Sequence, residues 1–429
     1  MLRSRLSTLL LSLSATLLAA CAGTAVSPAP PAVVPPDATP TPITEPTPTE
    51  SVVRLSLWLP ESLSPLGEDA GARVLKAQLA EFDARHPEIV LSVSSKKDDG
   101  PGGLLDLLRA ASPVAPRALP DALVLTDTDL AIAAREGLIQ PLDDLLDEQS
   151  EAELFTFARR AARIDDKRMG QPLTADFDHL VFRSDRLEAP PIDWTELLSV
   201  TLPLPFAFAE NTHVSDVVLA YYEQLGGQLI DAEGQPVLTL EALTQLLTLY
   251  RDARASGVIT ASSLNWANHT DAWAAFRASG APFTIARASR YLSARRNIVA
   301  LGYARLPALD SGSVPPIGRS WNLALVARDP RQQALVAELI EYLADAAGLA
   351  AWTQAAHVLP ASSEALNRWD QSDGYAAFAR DELSRATPAP SPAVLEAISP
   401  AFLGAIREAL AGRITPQAAA SSAIEAVPH

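Results

Sequence analysis

The sequence predicts an α/β protein of two lobes. After the first fifty residues about 380 remain, more than a single core usually organises. Short apolar strands alternate along them with amphipathic helices, the pattern of a sheet covered by helices. With 48% apolar and 20% charged residues, the composition is that of a globular body. Beyond the N-terminus no apolar run approaches the ~20 residues of a membrane helix. No period of roughly 20–50 residues repeats, which argues against a solenoid.

The chain opens with Arg3 and Arg5, an apolar stretch from Leu6 to Leu18, and Leu18-Ala19-Ala20-Cys21. A basic start, a short apolar core and small residues before a cleavage point form an export signal, and the core is too short for a permanent span. With the cysteine in place the segment resembles a bacterial lipoprotein signal, predicting cleavage after residue 20 and lipidation of Cys21. Cys21 is the only cysteine, so no intramolecular disulfide is expected. From Ala22 to Glu50 the chain is mostly Pro, Thr, Ala and Val. Such a segment favours extended polyproline II and reads as a tether reaching up to roughly 80–90 Å.

The body begins near Ser51. Val53 to Leu59 alternates with period two and Pro60 ends it, predicting a strand. Leu75, Leu79 and Phe82 share one helical face, and His86-Pro87 stops that helix before a second strand, Ile89 to Val93. Leu104 to Leu108 reads as a helix, Ala122 to Leu125 as a strand, and Leu130 to Arg135 as a helix stopped by Gly137. This alternation predicts a parallel sheet covered on both faces. Further on, Val214 to Glu223 reads as a helix ended by Gly226-Gly227. Leu240, Leu243, Leu246, Leu247 and Tyr250 form a core stripe of another, and Leu323 to Val326 reads as a strand.

Several segments carry a family likeness: Leu57-Trp58, Glu81-Phe82 with His86-Pro87, Pro120 to Val124, Gly137 to Leu145, Gly170 to Leu173, Leu180 to Phe182, Asp193 to Leu197, Trp352 with Val358-Leu359-Pro360, and Ala409 to Pro416. In order and spacing they resemble the extracellular solute-binding proteins of bacterial ABC importers, in the carbohydrate-associated group (family 1) and in lipoprotein form. The resemblance implies the two-lobed periplasmic-binding-protein-like fold (type II) with a hinge between lobes. It also implies a division into signal 1–20, tether 21–50, first lobe 51–172 and 304–358, and second lobe 173–303 and 359–429. The chain departs from the family at Ser279 to Phe283, where Gly-Lys-Ala-Ala-Met is usual. No Trp follows before Tyr291, and Phe182-Arg183-Ser184 replaces Tyr-Asn-Lys.

Ligands of open α/β sheets bind at the carboxyl ends of strands, which selects candidates. Trp58 ends the first strand, as a ligand-stacking ring or a core plug, and Glu61 lies just beyond, as a ligand contact or a solvated loop residue. Asp127 follows the third strand, contacting ligand or capping the next helix. Asp176 and Phe177 fall in the segment that the resemblance makes the crossing strand, with Asp176 a sugar-hydroxyl acceptor or a structural acceptor. Asn211 belongs to the polar loop Asn211-Thr212-His213. Tyr291 and Trp321 are candidate stacking rings, Trp321 on what the resemblance makes a cleft loop. Trp266, Trp352 and Trp369 read as packing residues.

Removal of residues 1–20 takes two arginines with it, moving the net charge from −17 to −19. That charge opposes nucleic acid, which needs a basic footprint. The six His are scattered, and no metal motif, phosphate loop or Gly-x-Ser-x-Gly elbow occurs, so neither metal, cofactor nor enzyme chemistry is expected. The expected function is a membrane-tethered receptor, monomeric, that closes on a solute, a sugar by resemblance, and passes it to an ABC permease. A polyamine or another solute, and a bilobed surface sensor or adhesin uncoupled from transport, remain the alternatives. The expected location is the cell envelope, lipid-anchored, facing the extracellular or periplasmic side.

Overall fold

The computed structural model describes residues 52–428 except 201, 310, 311 and 373. The signal, Cys21 and the tether lie outside the described residues. Val53–Pro60 (β1) leads into Ala70–Arg85 (α1), capped by the Asp69 carboxylate on the Ala72 amide at 2.9 Å. Ile89–Lys96 (β2), Leu104–Ala111 (α2), Ala122–Thr126 (β3) and Asp127–Arg135 (α3) follow. β1 runs parallel to both β2 and β3, as the alternation predicts. Side chains then divide by period: Ala122 and Val124 face the core beneath α1, whereas Leu123 and Leu125 face α2 and α3.

The sheet is mixed, not parallel throughout. Gln171–Arg183 (β4) is antiparallel to Phe283–Arg287 (β5), Leu301–Ala304 (β6) and Ile317–Leu325 (β7), and β7 is antiparallel to β3. The strand order is β6-β4-β7-β3-β1-β2, with β5 also on β4. A helix-by-helix reading cannot see this, because antiparallel pairing leaves no trace in local periodicity. β4 is thirteen residues long and changes partner midway. Its residues 171–177 pair with β7, and 178–182 pair with β5.

That change of partner separates two cores. Leu173, Ala175 and Phe177 belong to the first, with Leu55, Leu57, Leu59 and the stripe of α1. Leu180 belongs to the second, built with Asp216–Gln224 (α4) and Leu240–Ser256 (α5). β7 also spans both, from Ile317 in the second core to Leu323 and Leu325 in the first. Phe276 on His269–Ser279 (α6) and Tyr291 on Ala288–Ala294 (α7) join the first core. So do Pro330–Ala344 (α8), Ala346–Ala356 (α9) and Tyr375–Arg385 (α10). Pro392–Ala411 (α11) and Pro416–Ala426 (α12) close the second. The result is a two-lobed α/β fold joined by two continuous strands.

Some expectations shift. α3 starts at Asp127 because Thr126 caps it, its hydroxyl accepting from the Asp129 amide at 3.1 Å. Val214 pairs in a short hairpin ahead of α4 instead of opening it. Leu240, at the exposed start of α5, is outside the core that Leu243, Leu246, Leu247 and Tyr250 enter. β7 begins six residues earlier than read, so Gly318 to Trp321 lie in a strand, not in a loop. Hydrogen bonding to β3 and β4 on both sides stabilises it despite Gly318, Arg319 and Ser320.

Candidate functional site

Where β4 changes partner, it carries Asp176 and Asp178, opposite Arg319 of β7 and Arg287 of β5 respectively. Asp216, in the first turn of α4, and Asp127, at the start of α3, approach from either side. Arg319 grips Asp216 with two bonds, Nε–Oδ2 at 2.9 Å and Nη2–Oδ1 at 2.6 Å. Its Nη1 reaches Asp127 Oδ2 at 3.4 Å and Thr128 Oγ1 at 3.2 Å. Arg287 adds a third bond to Asp216, Nη2–Oδ2 at 3.1 Å. One guanidinium thus joins a helix of the second core to a helix against the first lobe's outer face.

Burial alone would push the Asp216 pKa up, but the charges and hydrogen bonds of Arg319 and the charge of Arg287 hold it well below the ordinary carboxylate range. The Asp127 pKa is raised by burial, which Arg319 offsets only in part. Burial also lifts Asp178 to about 7, against Arg287 and with help from Asp216 and Asp176. Neither carboxylate oxygen of Asp178 has a hydrogen-bond partner, and His269 Nε2 lies 3.5 Å from its Oδ2. His269 is lowered to about 4 by burial and by Arg287. Between about pH 4 and pH 7 a proton in that pair therefore resides on the acid.

The sequence candidates distribute around this cluster. Asp127 belongs to it. Asp176 is half-buried and accepts at α7, Oδ1 from the Ser289 amide at 3.1 Å and Oδ2 from its hydroxyl at 2.5 Å. Phe177 is fully buried in the first core. Trp321 is partly buried where the first core meets a smaller third cluster, built by Leu123 and Leu125 of β3 with Leu104, Leu108 and Leu130 of α2 and α3. Trp58 packs on the third core with the Lys96 ammonium 5.1 Å over its ring. Tyr291 sits on a helix within an aromatic group, 5.4 Å from His179 and 4.7 Å from Tyr375. Asn211 is exposed at a hairpin turn with φ of 56°, 3.4 Å from Asn268.

Glu61, just past β1, lines a cavity of about 290 Å³ with Ser62, Ser64, Ser293, Arg296 and His357. Arg296 Nη1 donates to His357 Nε2 at 2.7 Å, and the buried Trp352 of the first core lies behind the cavity. Glu61 and Asp127 thus mark the carboxyl ends of β1 and β3, where open sheets place ligands.

Sequence reasoning missed Asp178, Asp216, His269 and Arg319 as site residues. The available signal was Arg287 and Arg319 inside otherwise apolar strands, since a charge there demands a buried partner. Among the described residues no group of His, Cys, Asp and Glu could hold a metal ion, and no helix is long and apolar enough to cross a membrane.

Two cores joined by crossing strands, with polar groups gathered at the crossing, define a two-lobed binding protein. The chain belongs to the bacterial extracellular solute-binding protein family, which matches residues 80–380. That places its work outside the cytoplasmic membrane, in a periplasmic or extracellular setting. Its structure is similar to the cyclic α-maltosyl-1,6-maltose binding protein of Arthrobacter globiformis (TM-score 0.73, 16% identity, 87% of this chain and 98% of that one). It is also similar to maltose-bound MalE3 of T. maritima (0.70, 18%, 87% and 98%). A third likeness is the GacH receptor of Streptomyces glaucescens GLA.O, known unliganded and with acarbose (0.67, 18%, 87% and 97%). No curated protein matches the chain by sequence. The family and these structures are binding proteins.

Proposed function

We propose that the protein captures a carbohydrate between its lobes, without chemistry, and delivers it to an ABC permease from a lipid anchor. The observation that carries this reading is the change of partner in β4. There Asp176 and, through Arg319, Asp127 and Asp216 gather where β4 passes from one core to the other, while the cavity beside Glu61 lies past the carboxyl end of β1. Serine hydroxyls, a carboxylate and a guanidinium around that cavity suit the polar rim of a sugar. The similar structures bind maltose-type ligands and acarbose, which supports the same solute class. Asp127 and Asp216 are held by arginines, which leaves them less available to a polyamine. Ligand shifts the lobes only by its differential affinity for the closed state.

Calorimetric titration with a panel of neutral and acidic oligosaccharides tests the reading, with small-angle scattering on the complex. The expected result is micromolar binding, a smaller radius of gyration, and a loss of roughly tenfold or more in Asp176→Asn. A panel without a binder, or a tight complex of unchanged radius, would overturn it. Anchorage is tested apart: Cys21→Ser should leave the membrane fraction and lose labelled palmitate, and retention of both would sink it.

A further inference from the structure

On the far side of Arg319 lies a second cavity, of about 240 Å³. Asp127, Thr128, Ala131 and Arg135 line it at helical spacing along one face of α3. That face of α3 extends over roughly 12 Å. Arg160, Arg163 and Asp165 form a second side. The proline-rich segment 388–392, leading into α11, forms a third.

The charge balance of this lining is opposite to that of the chain. The whole sequence carries 51 acidic against 34 basic residues, yet the cavity has four arginines and two aspartates. Two of the arginines are committed: Arg163 to Glu151 at 2.7 Å, and Arg319 to Asp216. Arg135 and Arg160 are exposed, and among the described residues neither guanidinium has a carboxylate partner or a hydrogen bond. Each lies in the last turn of its helix, where the dipole favours a cation only weakly and leaves the guanidinium's donors open. A guanidinium matches a carboxylate or sulfate with two parallel donors. The twenty-residue helix α11 opens on the same space with its positive end.

We infer that this cavity is a subsite for the acidic substituent of a saccharide, with Arg135 and Arg160 as its recognition residues. It rests on the carbohydrate reading and narrows it to anionic sugars. Asp127 and Arg319 border both regions, so one elongated ligand would reach from the β4 junction into the arginine cavity. The proline and alanine walls leave its sugar faces dry.

The test compares maltotriose, trigalacturonate and a sulfated carrageenan oligosaccharide by calorimetry on the full chain and on Arg135→Ala/Arg160→Ala. Both positions are exposed, so the melting temperature should hold. Expected is a preference of roughly tenfold or more for one acidic probe over maltotriose, reduced by added salt and abolished in the double variant. Whichever acidic probe binds identifies the substituent as carboxylate or sulfate. A preference that survives the double variant, or neutral and acidic probes binding alike, overturns the subsite and leaves the carbohydrate reading standing. If none of the three binds, the subsite falls, and the wider panel decides the carbohydrate reading.

Discussion

At the residue scale, Asp178 makes the clearest prediction. Its folded pKa, raised to about 7 from an ordinary 3.8, means the folded protein keeps a proton that the unfolded chain has released. Its contribution is therefore full below pH 3.8 and is lost as pH climbs through 7. His269, lowered from 6.5 to about 4, acts oppositely and adds stability as pH rises between those values. Asp178→Asn removes only the falling part. Thermal melts should show the variant matching the parent near pH 4 and exceeding it at pH 8, by up to about 4 kcal/mol. Parallel profiles for the two proteins would refute the assignment. Asp178 was not legible in the sequence, because Asp-Phe-Asp on a strand does not tell which carboxylate will face a histidine ninety-one residues away. That Asp127 and Glu61 would stand just past strand ends was legible from the strand pattern alone.

At the scale of elements, glycines decide how closely helices approach. A Cβ on Gly71 in α1 would lie 2.6 Å from both Cα and Cβ of Ala356 in α9, so backbone would have to move. Gly404, inside α11, has nothing within 4 Å of its hypothetical Cβ. Gly71→Val should destabilise by about 1–3 kcal/mol through overpacking. Gly404→Ala should stabilise by about 0.5–1 kcal/mol through lower unfolded-chain entropy. Denaturant titration of both distinguishes contact from propensity, and shifts of the same sign would contradict the packing. Most elements of the first lobe could be read locally, since β1, α1, β2 and β3 bury their apolar periods on neighbours close in sequence. Only the second half of β7 could be, because Arg319 and Ser320 break the apolar pattern of its first half, which ladders to β3 and β4 hold.

At the scale of the molecule, the division into two lobes followed from chain length and the order of segments, while the way they are joined did not. β4 lies inside the ladders of both halves, and β7 runs from one core to the other. Melting either half would strip partners from a strand on which the other depends. The two halves are thus bound to unfold together. Scanning calorimetry should give one endotherm, with calorimetric and van't Hoff enthalpies agreeing, where two independent domains would give two. Two resolved peaks would mean that the shared strand does not couple them. Such coupling gives the unliganded protein a particular resistance to proteases in its exposed setting. A cut needs an opened chain, and here the population of open chains is set by the combined stability of both halves and not by the weaker one.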